Sequence, residues 1–124
     1  MKNKRPVNLD ISTIRLPLAA WTSIAHRISG IIVFAGIAIL LWLLETSLTS
    51  ETSFNEIRTV GMSPIARFLI WGVLSALAWH MVAGVKHLFM DAGIGESREG
   101  GPRGAKITIV VSLVLIVLLG VWIW

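Results

Sequence analysis

Cysteine is absent from this 124-residue sequence, and charged residues make up only 15% of it. The lack of thiols excludes a disulfide framework, a thiolate-ligated iron–sulfur centre and a cysteine nucleophile within the chain. Neither a GxGxxG nor a GxxxxGK[ST] pattern occurs, so the common nucleotide-binding loops are missing as well. Any redox chemistry must therefore use cofactors that the chain borrows, and no nucleic-acid partner is expected.

Apolar residues dominate what is present. They make up 55% of the chain, and the mean hydropathy is +0.78, which is far above the usual range of soluble domains. A membrane-spanning helix needs roughly 20 apolar residues. Three stretches meet that length, at about 22–46, 65–90 and 106–124. We therefore predict an all-α integral membrane protein, with one membrane-anchor domain of three transmembrane helices.

The links between the spans carry turn signals. "EGGPRG", before the third span, is rich in glycine and contains a proline, so we expect an irregular connection there. In the link "ETSLTSETSFNEIRTVGMSP", Pro64 is expected to begin a helix, and a short interfacial helix is expected around "FNEIR".

The eleven Lys and Arg residues predict the orientation. Most of them lie before or at the start of the first span, or from the end of the second span to the start of the third, and only two lie between the first span and the start of the second: Arg58 and Arg67. Positive charge favours the cytoplasmic side of a membrane. We expect a cytoplasmic N-terminal segment at 1–21, which is not a removable signal peptide because no short apolar segment with a cleavage site follows its basic residues.

A histidine lies deep within the second predicted span. His80 is about ten residues from the end of that span, roughly 15 Å at 1.5 Å per residue, which is too deep for imidazole to reach water. Its spacing from Gly84 and His87 places all three on one helical face. The spacing leaves three roles open for His80: haem ligation, a hydrogen bond between helices, or proton relay. As a haem ligand it would need a second axial ligand from another polypeptide, because His26 and His87 lie near the membrane boundary.

A polar cluster, "SIAHRISG", begins the first span. Ser23, Arg27 and Gly30 share a face with His26 beside them, which combines a hydroxyl, a permanent cation and an imidazole at the membrane boundary. The cluster is suited to donate hydrogen bonds to a quinone headgroup or to hold haem propionates. The alternative is that Arg27 reaches lipid phosphates while Ser23 caps the helix.

Two stretches, "RPVNLDISTIRLPLAAWTSIAHRISG" and "HMVAGVKHLFMD", closely resemble the cytochrome b membrane subunit of bacterial succinate dehydrogenase in respiratory complex II. The resemblance implies that His80 is an axial ligand of haem b and that a companion small anchor subunit supplies the other. It also implies that Ser23 and Arg27 line the ubiquinone pocket, that His26 and Arg27 lie close to the haem propionates, and that His87 lies at the mouth of the same region. Lys86 departs from the arginine common in relatives, which puts its role in doubt.

That family implies partners and a location. Electrons from succinate would pass from a flavoprotein subunit through an iron–sulfur subunit to ubiquinone, in the bacterial inner membrane and in contact with lipid. This chain would contribute to the quinone site and perform no succinate chemistry itself. Two alternatives remain: a haem-free quinol-binding anchor of a fumarate reductase-like complex, and a structural membrane subunit of another complex.

Overall fold

Long helices account for most of the chain. A computed structural model describes residues 5–124. Four helices follow in order: α1 (Leu18–Ser47), α2 (Glu51–Gly61), α3 (Pro64–Asp91) and α4 (Gly100–Ile123). α1, α3 and α4 are each long and apolar enough to cross a membrane. The prediction of an all-α fold with three spans is confirmed, whereas the cytoplasmic orientation of the N-terminus stays a prediction and partly concerns residues 1–4, outside the described range.

The connection between α1 and α3 has the expected features. Ser50 caps α2, since its hydroxyl accepts a hydrogen bond from the Ser53 amide at 3.0 Å. Ser63 caps α3 in the same way, accepting from the Ala66 amide at 3.2 Å, and Pro64 is the first residue of α3. Proline suits that position because the amide it lacks would have no helical partner there. The short helix around "FNEIR" and the helix start at Pro64 are both confirmed.

The prediction of an irregular link at "EGGPRG" was wrong. α4 begins at Gly100 and includes Pro102 in its first turn, where the backbone amides have no intrahelical acceptor and a proline costs no hydrogen bond. The irregular link lies earlier, at 92–99, where Gly93 and Gly95 adopt positive φ values of 81° and 77°. Glycine adopts this left-handed conformation without steric cost.

The three long helices pack into one bundle in which α3 contacts both α1 and α4, and α1 also contacts α4. α1 and α3 run antiparallel and approach closely at Gly36, where a methyl group would lie 2.6 Å from Val73 Cγ1. α3 and α4 are joined by the Trp71 indole, whose Nε1 donates to the Ile116 carbonyl at 2.9 Å. These contacts place the first half of α1 beside the second half of α3.

Small and hydroxylated residues form the interior of the bundle. The buried positions are Thr22, Ser29 and Gly36 on α1, Ala78 and Ala83 on α3, and Ala105, Thr108 and Ser112 on α4. Large apolar side chains lie mostly on the outside. This arrangement is typical of membrane bundles, in which small residues let the helix backbones approach while apolar side chains face lipid.

Candidate functional site

The His80 side chain reaches from α3 into a notch on α1. Its Nδ1 lies 3.0 Å from the His26 carbonyl oxygen and 3.1 Å from Ser29 Oγ. A methyl group on Gly30 would lie 3.0 Å from His80 Cε1, so the missing side chain of Gly30 makes room for the ring. We call this group, the His26 carbonyl with Ser29 and Gly30, the α1 notch.

The hydrogen bonds in the α1 notch determine which nitrogen of His80 carries the proton. A carbonyl oxygen only accepts, so the contact with the His26 carbonyl requires a proton on Nδ1. The Ser29 hydroxyl donates to the same carbonyl at 2.7 Å, which leaves its oxygen free to accept from Nδ1. Nε2 of the neutral ring then keeps its lone pair, and no atom of residues 5–124 forms a hydrogen bond with it.

This donor set fits an axial haem ligand. Histidines that bind a metal almost always donate the N–H of their other ring nitrogen to a carbonyl, a carboxylate or water, which fixes the tautomer and the ring orientation. His80 has that arrangement within this chain, through the His26 carbonyl. A neutral Nε2 with an available lone pair is also what haem iron requires.

The three histidines lie together. The His26 ring stacks on the His80 ring, with centroids 4.2 Å apart and planes 8° apart, and the centroids of His26 and His87 are 5.0 Å apart. The stacked ring covers a face of His80, whereas the Nε2 lone pair lies in the plane of the ring and does not point at His26. A methyl group on Gly84 would lie 3.4 Å from His26 Nε2, so the group that approaches this glycine from within the chain is the His26 imidazole.

Lys86 joins the three long helices near the histidines. Its Nζ donates to Thr22 Oγ1 of α1 at 3.0 Å, and Gly104 of α4 lies beside its alkyl chain. Within residues 5–124 no carboxylate is bonded to this ammonium group, so its charge is available to an anion. The structure places the Lys86 side chain between α1 and α4.

Ser23 and Arg27 lie one turn apart on α1, and neither is buried in the interior of the bundle. Ser23 is half-buried and Arg27 is exposed, while Thr22 and Ser29 of the same segment are buried. The guanidinium group and part of the Ser23 side chain are therefore open to a partner subunit, a quinone or lipid. Asp91 is exposed at the end of α3.

Sequence reasoning missed two residues of the site, Ser29 and Thr22. Ser29 lies three residues after His26 within "SIAHRISG", and this spacing suits a hydroxyl that donates a hydrogen bond back to the His26 carbonyl. The contact with His80, however, depends on how α1 is rotated against α3. Thr22 carries no comparable signal in the sequence.

Comparison with known proteins gives the family. Residues 1–119 match the family described as "Succinate dehydrogenase/Fumarate reductase transmembrane subunit". A protein of Coxiella burnetii named "Succinate dehydrogenase cytochrome b556 subunit" is 40% identical over 125 residues, covering 100% of both chains. Proteins of the same name from Paracoccus denitrificans and Rickettsia felis are 38% and 30% identical, covering 94% and 96% of this chain and 90% and 93% of their own.

The match extends along nearly the whole chain and agrees with three apolar spans and with the resemblance found in the sequence. The chain is a multi-pass protein of the bacterial inner membrane. It belongs to the succinate dehydrogenase/fumarate reductase transmembrane subunit family, as a cytochrome b membrane anchor of the succinate dehydrogenase type.

Proposed function

We propose that this chain holds haem b through His80 and helps form the site at which a succinate dehydrogenase complex reduces ubiquinone. The observation that carries the proposal is that His80 Nδ1 is hydrogen-bonded to the His26 carbonyl and Ser29 in the middle of a membrane bundle, which leaves Nε2 as the nitrogen suited to bind a metal. The cytochrome b556 names of the relatives support it.

Haem b would supply a site that accepts and releases one electron beside the quinone. The chain's part is to present Nε2 and to offer positive or hydrogen-bond-donating groups to the propionates. The His26 and His87 rings lie 5.0 Å apart, Lys86 Nζ is bonded to Thr22 one turn before His26, and Arg27 directly follows His26 on α1. Charge-assisted hydrogen bonds to carboxylates are shorter and stronger than neutral ones.

The second axial ligand would come from a companion small anchor subunit. His26 stacks on the face of His80, and His87 packs against His26, so both rings are packed within the chain. Neither would serve as the second ligand, so we propose that haem would be held by His80 together with a residue of the companion subunit.

Ubiquinone would bind beside Ser23 and Arg27, on the exposed side of α1. A hydroxyl and a guanidinium group one turn apart can each donate a hydrogen bond to the quinone head, and the permanent charge of Arg27 stabilises the negative charge that arises as electrons arrive. Electrons would come from an iron–sulfur subunit, supplied in turn by a flavoprotein subunit that oxidises succinate. With the N-terminus in the cytoplasm, this end of α1 would face those subunits.

The deciding experiment is an absorption spectrum of the purified complex. We expect a low-spin b-type signal that is lost in His80→Ala and kept in Met81→Ala, since Met81 is the next residue and is 60% exposed. An assembled wild-type complex without a b-type signal, or a His80→Ala complex that keeps it, would overturn the proposal.

A structural role for His80 is the second candidate, favoured by its hydrogen bond to the His26 carbonyl, which links α3 to α1. It predicts a wild-type complex without a b-type signal, in which His80→Ala lowers thermal stability. A haem-free anchor of the fumarate reductase type would also lack the b-type signal, but its quinol oxidation would depend on Ser23 and Arg27.

A further inference from the structure

We propose that Ser29 is a positioning residue for His80: its hydroxyl oxygen is a second acceptor for the Nδ1 proton beside the His26 carbonyl, and so it fixes the ring plane in which Nε2 is presented. The inference rests on the proposed function, in which Nε2 binds haem iron. It concerns the part of the site that lies entirely within this chain.

The three polar atoms form a closed triangle. Ser29 Oγ is 2.7 Å from the His26 carbonyl oxygen and 3.1 Å from His80 Nδ1, and Nδ1 is 3.0 Å from the same carbonyl. Ser29 is only 5% exposed, so water does not compete for its hydroxyl. With its proton committed to the carbonyl, the Ser29 oxygen has one role left toward His80, which is to accept.

The His26 carbonyl is shared among donors, so it is not the only acceptor on which His80 depends. Within α1 it is the helical acceptor for the amide of Gly30, and it also accepts from the Ser29 hydroxyl. A carbonyl oxygen has two lone pairs, so a third donor receives a weakened bond. The Ser29 oxygen supplies His80 with an acceptor that no helical amide uses.

Gly30 sets how far the ring enters the notch. A methyl group there would lie 3.0 Å from Cε1, 3.4 Å from Nδ1 and 3.9 Å from Nε2 of His80, so a side chain would press on the edge of the ring. Ser29 therefore controls the angle of the ring, and Gly30 controls its depth. Both act on iron only through His80.

The test compares Ser29→Ala with Ser112→Ala in the whole complex. Ser112 is fully buried on α4, and its hydroxyl has no hydrogen-bond partner among residues 5–124. Ser112→Ala therefore removes a buried hydroxyl without removing a hydrogen bond, which makes it the matched control. We expect Ser29→Ala to assemble but to retain haem roughly 10-fold or more weakly, the usual cost of losing a group that orients a metal ligand. We also expect an altered haem midpoint potential and altered electron paramagnetic resonance g values. Haem content, potential and g values equal to those of Ser112→Ala would overturn the proposal.

Two further variants test the proposal if the Ser29→Ala complex fails to assemble. Ser29→Thr keeps the hydroxyl and should keep the wild-type potential and g values, whereas values like those of a hydroxyl-free variant would contradict the proposal. Gly30→Ala keeps Ser29 and displaces the ring, so it should also weaken haem retention. Unaltered haem retention in Gly30→Ala would show that the notch does not position His80.

One measurement needs no bound haem. In complexes made without haem, the ¹⁵N resonances of His80, identified by their loss in His80→Ala, should show a proton on Nδ1 in both the wild type and Ser29→Ala, because the His26 carbonyl accepts it in both. The Nδ1 resonance should shift in Ser29→Ala, since one of its two acceptors is lost. An unchanged Nδ1 resonance would overturn the role of Ser29. Failure of the proposed function would appear separately, as a wild-type complex that assembles without a b-type spectrum.

Discussion

The His26 and His80 rings stack with centroids 4.2 Å apart and planes 8° apart. The two residues are of the same type and lie in direct contact, but their hydrogen bonds differ. His80 has Nδ1 occupied and Nε2 free, whereas His26 supplies a backbone carbonyl to the notch and a ring that covers His80. One histidine is therefore suited to bind iron, and the other to shape its surroundings.

The first prediction concerns His26. Replacing it with phenylalanine keeps both the backbone carbonyl and an aromatic ring against His80, and removes only the ring nitrogens. We expect His26→Phe to keep the b-type spectrum with reduced haem content, because a propionate partner is lost while the axial ligand remains. Haem content per complex, measured as the pyridine haemochrome, checks this. Complete loss of the spectrum, as expected for His80→Ala, would instead make His26 a ligand.

The second prediction concerns the crossing of α1 and α3. A methyl group on Gly36 would lie 2.6 Å from Val73 Cγ1, so Gly36→Ala should destabilise the bundle by about 1–3 kcal/mol, the usual cost of overpacking. Thermal unfolding of the purified complex in detergent measures this. Gly72→Ala is the control, since nothing lies within 4 Å of the added methyl group.

A double variant shows whether this steric contact is the cause. Val73→Ala removes the group that the new methyl meets, so the loss of stability in Gly36→Ala with Val73→Ala should be smaller than the sum of the two single losses. Strictly additive losses would mean that Gly36 matters for helix conformation and not for the contact.

The third prediction concerns the charge of Lys86. Removing a cation near a haem stabilises the oxidised form, so Lys86→Met should lower the haem midpoint potential, whereas Lys86→Arg should largely preserve it. Thr22→Val removes the hydrogen-bond partner of Nζ but keeps the charge, and should have a smaller effect. Potentiometric titration of the b-type signal is the measurement. Equal potentials in Lys86→Met and the wild type would remove Lys86 from the haem environment.

Much of the fold follows from local properties of the sequence. Runs of about 20 apolar residues identify spans without any knowledge of packing, and Pro64 marks a helix start through its missing amide. The wrong expectation at "EGGPRG" shows the limit of the same reasoning. Glycine and proline disfavour a helix interior, but the first turn of α4 tolerates them because its amides need no helical partner.

The candidate site can be predicted from the sequence only in part, for a different reason. The depth of His80 and the chemistry of "SIAHRISG" follow from position along the chain, whereas the pairing of Nδ1 with Ser29 depends on the rotation of α1 about its own axis. That rotation is set by packing at Gly30 and Gly36 against α3, a contact between residues about 40 to 50 positions apart in sequence. Helical spacing therefore places Ser29 on a face without saying which helix that face meets.

The last prediction separates the quinone site from the haem site. Among residues 5–124, His80 is hydrogen-bonded to the His26 carbonyl and Ser29 and not to Ser23 or Arg27, so changing these two should lower quinone reduction while leaving the b-type spectrum in place. Loss of a neutral hydrogen bond costs about 1 kcal/mol and loss of one from a charged group about 1.5–3 kcal/mol. At about 1.4 kcal/mol per factor of ten, we expect roughly a 5-fold fall in activity for Ser23→Ala and a 10- to 100-fold fall for Arg27→Leu.

The assay needs two acceptors and a neighbouring control. Succinate oxidation with a soluble artificial dye should persist in both variants, because that electron path does not reach the membrane site, while reduction of ubiquinone should fall. Ile28→Ala, which alters a side chain that is 54% exposed on the same turn, should leave both rates unchanged. Normal ubiquinone reduction in both Ser23→Ala and Arg27→Leu would place the quinone pocket elsewhere, and a loss of dye reduction would point to failed docking of the soluble subunits, since the quinone pocket takes no part in that assay.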